Sequence, residues 1–234
     1  MRRLILALVL LLIALPAWAV PAFDAASNPT PSFDWTIGAA SVTWAHTVTG
    51  TNPVICVGSM GQTVTSVTYN TVNLSKQWEI DVNGAGLWNS FWCLLNPATG
   101  AHNVVITYSV SGGYSLGAVS YSATGSLGTP ATAGPTTSQF PSVVVTSATG
   151  QLVIDGMTTD CTGCNAAAAD GGQTIRNQVH DGVTGRDVNI SEKAGAASVT
   201  MGWTLTSSFP WGTGGVALIP PASGAVRHRA IQTQ

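Results

Sequence analysis

Hydrophobic and polar positions alternate in short bursts along most of this chain. In His102-Asn103-Val104-Val105-Ile106-Thr107-Tyr108-Ser109, Val104, Ile106 and Tyr108 share one side while Val105, Thr107 and Ser109 share the other, the period-two pattern of a strand. Similar bursts, rich in β-branched and aromatic residues, are punctuated by Gly, Pro, Asn and Ser clusters. No amphipathic helical period follows the N-terminal leader. The pattern predicts strands at Ala22–Ala26, Ser41–Thr47, Pro53–Gly58, Val64–Tyr69, Val72–Trp78, Leu87–Leu95, His102–Ser109 and Leu116–Ser122. A second set is predicted at Ser142–Thr146, Gln151–Thr158, Gln173–Asn177, Asp187–Lys193, Ser198–Thr204 and Gly215–Ile219. Tyr69-Asn70-Thr71-Val72 reads as a two-residue hairpin, with Asn suited to positive φ and Thr a poor second turn residue.

The two sets resemble one another weakly. Asn52–Met60, Ala101–Thr107 and Leu116–Tyr121 correspond to Gly150–Met157, Ala196–Thr204 and Gly214–Ile219. The expected fold is therefore all-β, a jelly-roll-like antiparallel β-sandwich with two weakly similar halves, in one domain over residues 20–221. Ser126 to Gln139 is the candidate crossover between the halves and reads as a long surface connection.

Short motifs in a fixed order add a resemblance. Phe23-Asp24-Ala25-Ala26-Ser27, Trp44-Ala45-His46-Thr47-Val48, Val67-Thr68-Tyr69-Asn70, Leu94-Leu95-Asn96-Pro97, Ala118-Val119-Ser120-Tyr121, Gly172-Gln173-Thr174 and Val216-Ala217-Leu218-Ile219-Pro220 follow one another across residues 22 to 221. In that order they resemble uncharacterised secreted jelly-roll-like modules of bacterial and phage-associated extracellular proteins. The resemblance implies a secreted or surface-displayed β-sandwich and brings no catalytic residues. Asn70-Thr71 stands where relatives would carry Asn-Gly, and the four cysteines look like local additions.

Composition narrows the compartment and the partners. Met1-Arg2-Arg3, the apolar run Leu4–Leu15 and Ala17-Trp18-Ala19 form a secretory signal peptide over residues 1–19. The run is too short for the ~20 residues of a bilayer span, and no membrane span is expected after cleavage. The protein is expected to be secreted or cell-surface. Only 8% of residues are charged and the formal net charge is −2, which excludes a nucleic-acid binder of the basic-patch kind. Arg227, His228 and Arg229 lie in a tail, residues 222–234, read as a disordered basic end.

Four cysteines in an exported chain point to disulfides. Cys161-Thr162-Gly163-Cys164 reads as a structural bridge closing a loop, with redox chemistry as the alternative. Cys56 and Cys93 either pair across neighbouring strands or remain two buried thiols.

Several constellations bear on chemistry. Gly113-Tyr114-Ser115-Leu116-Gly117 matches a nucleophile elbow, with His180 and Asp187 as nominal partners, but strand-like residues follow where a helix is needed. Glu79-Ile80-Asp81, beside Trp78, supports a low-ranked glycan-active hydrolase or lyase of jelly-roll type. His46, His102, His180 and His228 lack zinc spacing, so no metal is assigned; Asp155, Asp160 and Asp170, near the ends and loops of the second half, are weak calcium candidates. The leading expectation is a non-enzymatic binding module that recognises glycans or a cell-surface component through Trp78, Trp211, Asp160 and Asp170, with Trp211 the best exposed platform. The alternative is a self-associating structural surface or virion subunit, with Val20 to Trp35 as a donated strand.

Overall fold

The computed structural model describes residues 19–222. The leader (1–19) and basic tail (222–234) lie, except for Ala19 and Ala222, outside those residues.

The first half holds β1 (Ala22–Ser27), β2 (Phe33–Val48), β3 (Val54–Gly61), β4 (Val64–Tyr69), β5 (Val72–Asn73), β6 (Ser75–Asp81), β7 (Trp88–Leu95) and β8 (Gly100–Ser122). The second holds β9 (Ser126–Leu127), β10 (Ala131–Ser138), β11 (Ser142–Thr146), β12 (Leu152–Asp160), β13 (Ala168–Ala169), β14 (Thr174–Val179), β15 (Arg186–Ala194), β16 (Ser198–Thr204) and β17 (Phe209–Ile219). All the pairings between them are antiparallel. The fold is the expected antiparallel β-sandwich.

Strand order shows the relation between the halves. The C-terminal part of β8 lies between β1 and β3, giving β1-β8-β3-β7-β6. The second half runs β10-β17-β12-β15-β14. The N-terminal part of β8 lies between β2 and β4, as β16 lies between β11 and β13. Apart from the two-residue strands β5 and β9, each strand of one half thus has a counterpart in the other, in chain order, with β8 standing for both β16 and β17.

β8 joins two stretches that the sequence suggests are separate, His102–Ser109 and Leu116–Ser122. Gly112 and Gly113 carry the strand through, because Gln62 and Trp35 occupy the space that side chains there would need. The expected surface connection over Ser126 to Gln139 is corrected: it contains β9 and β10. β10 escapes the pattern because Gly134 and Pro135 sit at its register shift, the place where an edge strand tolerates them. Val72–Trp78 divides at the buried Leu74 into β5 and β6. The Val20 to Trp35 segment, considered for donation to a neighbour, supplies β1, which pairs with β8 of its own chain.

The halves meet through one hydrophobic cluster. Val54, Cys56, Met60, Trp78, Phe91 and Tyr121 face Leu152, Ile154, Val188, Ile190, Val216 and Leu218. Trp78 and Phe91 stack with centroids 4.4 Å apart, and Gly156 and Gly214 leave the room they fill. Polar stitches cross the same seam: Asn89 Nδ2 donates to the Gly156 and Gly212 carbonyls at 3.1 and 2.8 Å, and Asn177 Nδ2 donates to the Ala118 carbonyl at 3.2 Å. Alternate residues of β3 and β12 face outward, Ile55 and Val57 into the first half's own core and Val153 into the second's.

Cys56 and Cys93 stand directly opposite on β3 and β7 and form a disulfide; Cys161 and Cys164 form another. No helix among the described residues is long and apolar enough to cross a membrane, which together with the disulfides is compatible with an extracellular protein.

Candidate functional site

The expected binding residues do not converge. Trp78 is 4% exposed in the core between the halves, with its ring against the second half. Trp211, expected to be an exposed platform, is 5% exposed in a separate core with Met157, Trp203 and Leu205, and its Nε1 donates to Ser138 Oγ at 3.0 Å. The correction has a simple cause: Phe209-Pro210-Trp211 reads as a turn, yet it begins β17, a strand buried from Trp211 to Leu218, and Phe209 and Trp211 both pack on that core. Asp160 accepts from Arg186 Nε at 3.2 Å and Asn83 Nδ2 at 2.9 Å. Asp170 is exposed elsewhere, beside β16, accepting from Thr204 Oγ1 at 3.3 Å.

Asp155 lies within the predicted strand Gln151–Thr158, in the middle of β12 and away from any loop. It is fully buried on β12, accepting from Ser191 N and Oγ at 3.1 and 2.6 Å and from Trp203 Nε1 at 2.7 Å. Calcium needs a ring of oxygen acceptors, whereas the groups facing Asp155 are donors, so it is corrected as a calcium candidate. Burial outweighs those hydrogen bonds and pushes its carboxyl up to about 6.

The other constellations are likewise put in place. Ser115 lies inside β8 with no exposure; its hydroxyl donates to the Arg186 carbonyl at 2.7 Å and accepts from Trp35 Nε1 at 3.0 Å, so the elbow match is a strand residue. Glu79 pairs with Lys76 at 2.8 Å. Asp81 accepts from the Gly84 and Gly86 amides at 3.0 and 3.1 Å and so holds its own turn. Trp78 and Ile80 point into the core between them, so no ring from β6 faces these two acids.

One end of the molecule does gather aromatic, aliphatic and acidic groups around an open space. A cleft of about 400 Å³ is lined by Pro31, Phe33, Asp34, Trp35, Thr36, Asp181, Val183 and Thr184. One wall is the start of β2, where Asp34 Oδ1 accepts from the Thr36 amide and hydroxyl, both at 3.0 Å. Trp35 is held by its bond to Ser115 and by the Arg186 guanidinium, 4.5 Å from its ring centroid. The Asp160–Arg186 pair therefore supports the cleft from behind.

The other wall is the connection between β14 and β15. Asp181 accepts from the Val183 amide at 3.0 Å and from the Thr184 hydroxyl, and the Gly185 amide donates to the Asp181 carbonyl at 2.6 Å. Partial burial opposes ionisation of Asp181, but those hydrogen bonds and nearby His180 outweigh it and hold the carboxyl below its usual range. Gly185 closes the turn with φ +65°, and its carbonyl accepts from Cys161 N at 2.8 Å. The turn leaves Val183 80% exposed.

Behind this wall, His180 Nδ1 lies 2.8 Å from Asp187 Oδ1. Burial, opposed by the His180 hydrogen bond and charge, pushes the Asp187 carboxyl up to about 6. The nominal triad partners do meet, but the Ser115 hydroxyl is committed to Arg186.

Sequence reasoning passed over Phe33, Asp34, Trp35, Asp181 and Val183 as a set. Phe33-Asp34-Trp35 between Pro31 and Gly38 was the legible signal, an acid between two rings beside turn residues; the meeting with residues 181–184 depends on the pairing of the two halves. Comparison with protein-family models, with curated proteins and with solved structures finds no match to this chain.

Proposed function

We propose that this protein is a secreted, non-enzymatic binding module that recognises glycans, and that the cleft between the start of β2 and the β14–β15 connection is its binding surface. The cleft carries this reading: it joins the rings of Phe33 and Trp35 and the exposed Val183 to the Asp34 carboxylate and the Thr36 and Thr184 hydroxyls. A sugar offers the complementary surface, C–H faces for rings and aliphatic groups and hydroxyls for carboxylate and hydroxyl oxygens. The site joins the end of a strand to a connection, both carried by a rigid double sandwich, and connections are where binding residues commonly sit. The expected ligand class is retained from the sequence while Trp78 and Trp211 give way to Phe33 and Trp35.

The test is titration of residues 20–234 with neutral, acidic and amino-sugar polysaccharides, followed by tryptophan fluorescence and repeated with calcium. One class should give saturable change, and Trp35→Ala should weaken it about tenfold or more, equivalent to about 1.4 kcal/mol. Thr71→Gly, in the distant hairpin, should bind as the parent does. A flat response across the panel overturns the glycan reading.

A further inference from the structure

The sulfurs of Cys161 and Cys164 and a carboxylate oxygen of Asp187 all lie within 4.8 Å of one another. Asp187 is fully buried, and its Oδ2 has no hydrogen-bond partner while Oδ1 takes His180. An unpaired buried acceptor is costly, and a disulfide has no proton to offer it. A thiol does. The reduced pair would place an S–H donor within 4.8 Å of a group that the oxidised pair leaves bare, with the Gly185 carbonyl, 2.8 Å from Cys161 Sγ, as a second acceptor beside it. The bridge lies under the exposed Thr162 and Gly163, and Cys164 is the more open of its two ends, 7% exposed against 1% for Cys161.

We infer that Cys161–Cys164 is a thiol-exchange site that accepts two electrons from a small dithiol, with Asp187 giving the proton to the departing sulfur and His180 replacing it from solvent. A reductant thiolate attacks Cys164 Sγ; the Sγ–Sγ bond breaks and Cys161 Sγ leaves with its electron pair, taking the Asp187 proton. The reductant's second thiolate then attacks its own sulfur in the mixed disulfide, and the Cys164 thiolate leaves and is protonated from solvent. The two protons lost by the dithiol are the two gained by the cysteines, and the dithiol is oxidised to its cyclic disulfide. The path from Asp187 outward is short, since the His180 side chain is 24% exposed. Other charges at this place are Asp181 in the same connection and the Asp160–Arg186 pair one register step away.

The experiment treats folded protein with dithiothreitol, traps thiols with N-ethylmaleimide and locates them by peptide mass from pH 5.5 to 8. Cys161 and Cys164 should be labelled while Cys56 and Cys93, both in the core, stay bonded. Asp187→Asn should slow the labelling roughly 10- to 100-fold at pH 6, the range of a lost general acid, and less at pH 8. If that variant does not fold, His180→Ala should show the same pH-dependent slowing in a folded protein. Labelling of both disulfides together only as the protein unfolds, or variants that react at the parent rate at every pH, overturns the inference.

Discussion

His46 shows how one residue sets the response of the fold to acid. Its ring is 1% exposed, Nδ1 bonds to Ser27 Oγ at 2.7 Å, and burial, against the pull of Asp24, pushes its pKa down to about 4. Unfolded, the ring takes up a proton near 6.5, so stability from His46 is lost as pH falls from 6.5 to about 4, up to about 3 kcal/mol. Asp155 and Asp187 act in the opposite sense. With folded pKa values near 6, their neutral forms suit the interior, so their stability is present at pH 4 and lost as pH rises through 6. The terms cancel in part in the parent. His46→Asn, which keeps an acceptor for Ser27, should separate them: its melting temperature should rise relative to the parent on acidification from pH 6.5 to 4.5. A constant difference across that range would rule out the buried neutral ring. Burial of this kind was not legible in sequence for single residues; Trp35 and Trp211 both sit beside turn residues, and only the position of the strand starts makes one line a cleft and the other a core.

At the scale of elements, the hairpin between β4 and β5 carries local strain. Asn70 and Thr71 both have positive φ, 46° and 66°, as a two-residue hairpin turn requires. Asn tolerates this region; a β-branched residue does not. Thr71 is exposed, so glycine there removes strain without opening a cavity. Thr71→Gly should raise stability by about 1 kcal/mol and the melting temperature by roughly 2–4 °C, and an unchanged or lower midpoint would contradict the turn geometry. The same physics explains which elements were readable. β4, β11 and β16 have the bounds expected from alternation, because their inward and outward residues differ in polarity. β8 and β10 were misjudged where glycine and proline, usually breaks, serve close packing at Gly112 and Gly113 and an edge bulge at Pro135. The cleft inherits that gap, since one of its walls begins at the part of β2 that pairs with residues just after those glycines.

For the whole molecule, the repeated strand order does not make two independent bodies. A free first half would expose Val54, Met60, Trp78 and Phe91, and a free second half Ile154, Ile190, Val216 and Leu218, which are a shared interior here. Gly214 tests that coupling. A Cβ at this position would stand 2.5 Å from Trp78 Cδ2, and the ring cannot retreat because it is stacked on Phe91, itself packed near Gly156. Gly214→Ala therefore presses a second-half strand against a first-half ring. It should cost roughly 1–3 kcal/mol, the range for an overpacked core. Calorimetry should show one transition in the parent and one, at lower temperature, in the variant, since every strand in the central layers loses contact together. Two transitions in the parent, or a variant in which only the second half melts earlier, would show that the halves fold separately and that the cleft between β2 and the β14–β15 connection forms by docking of finished units. A single transition makes the cleft a product of the same cooperative event as the core.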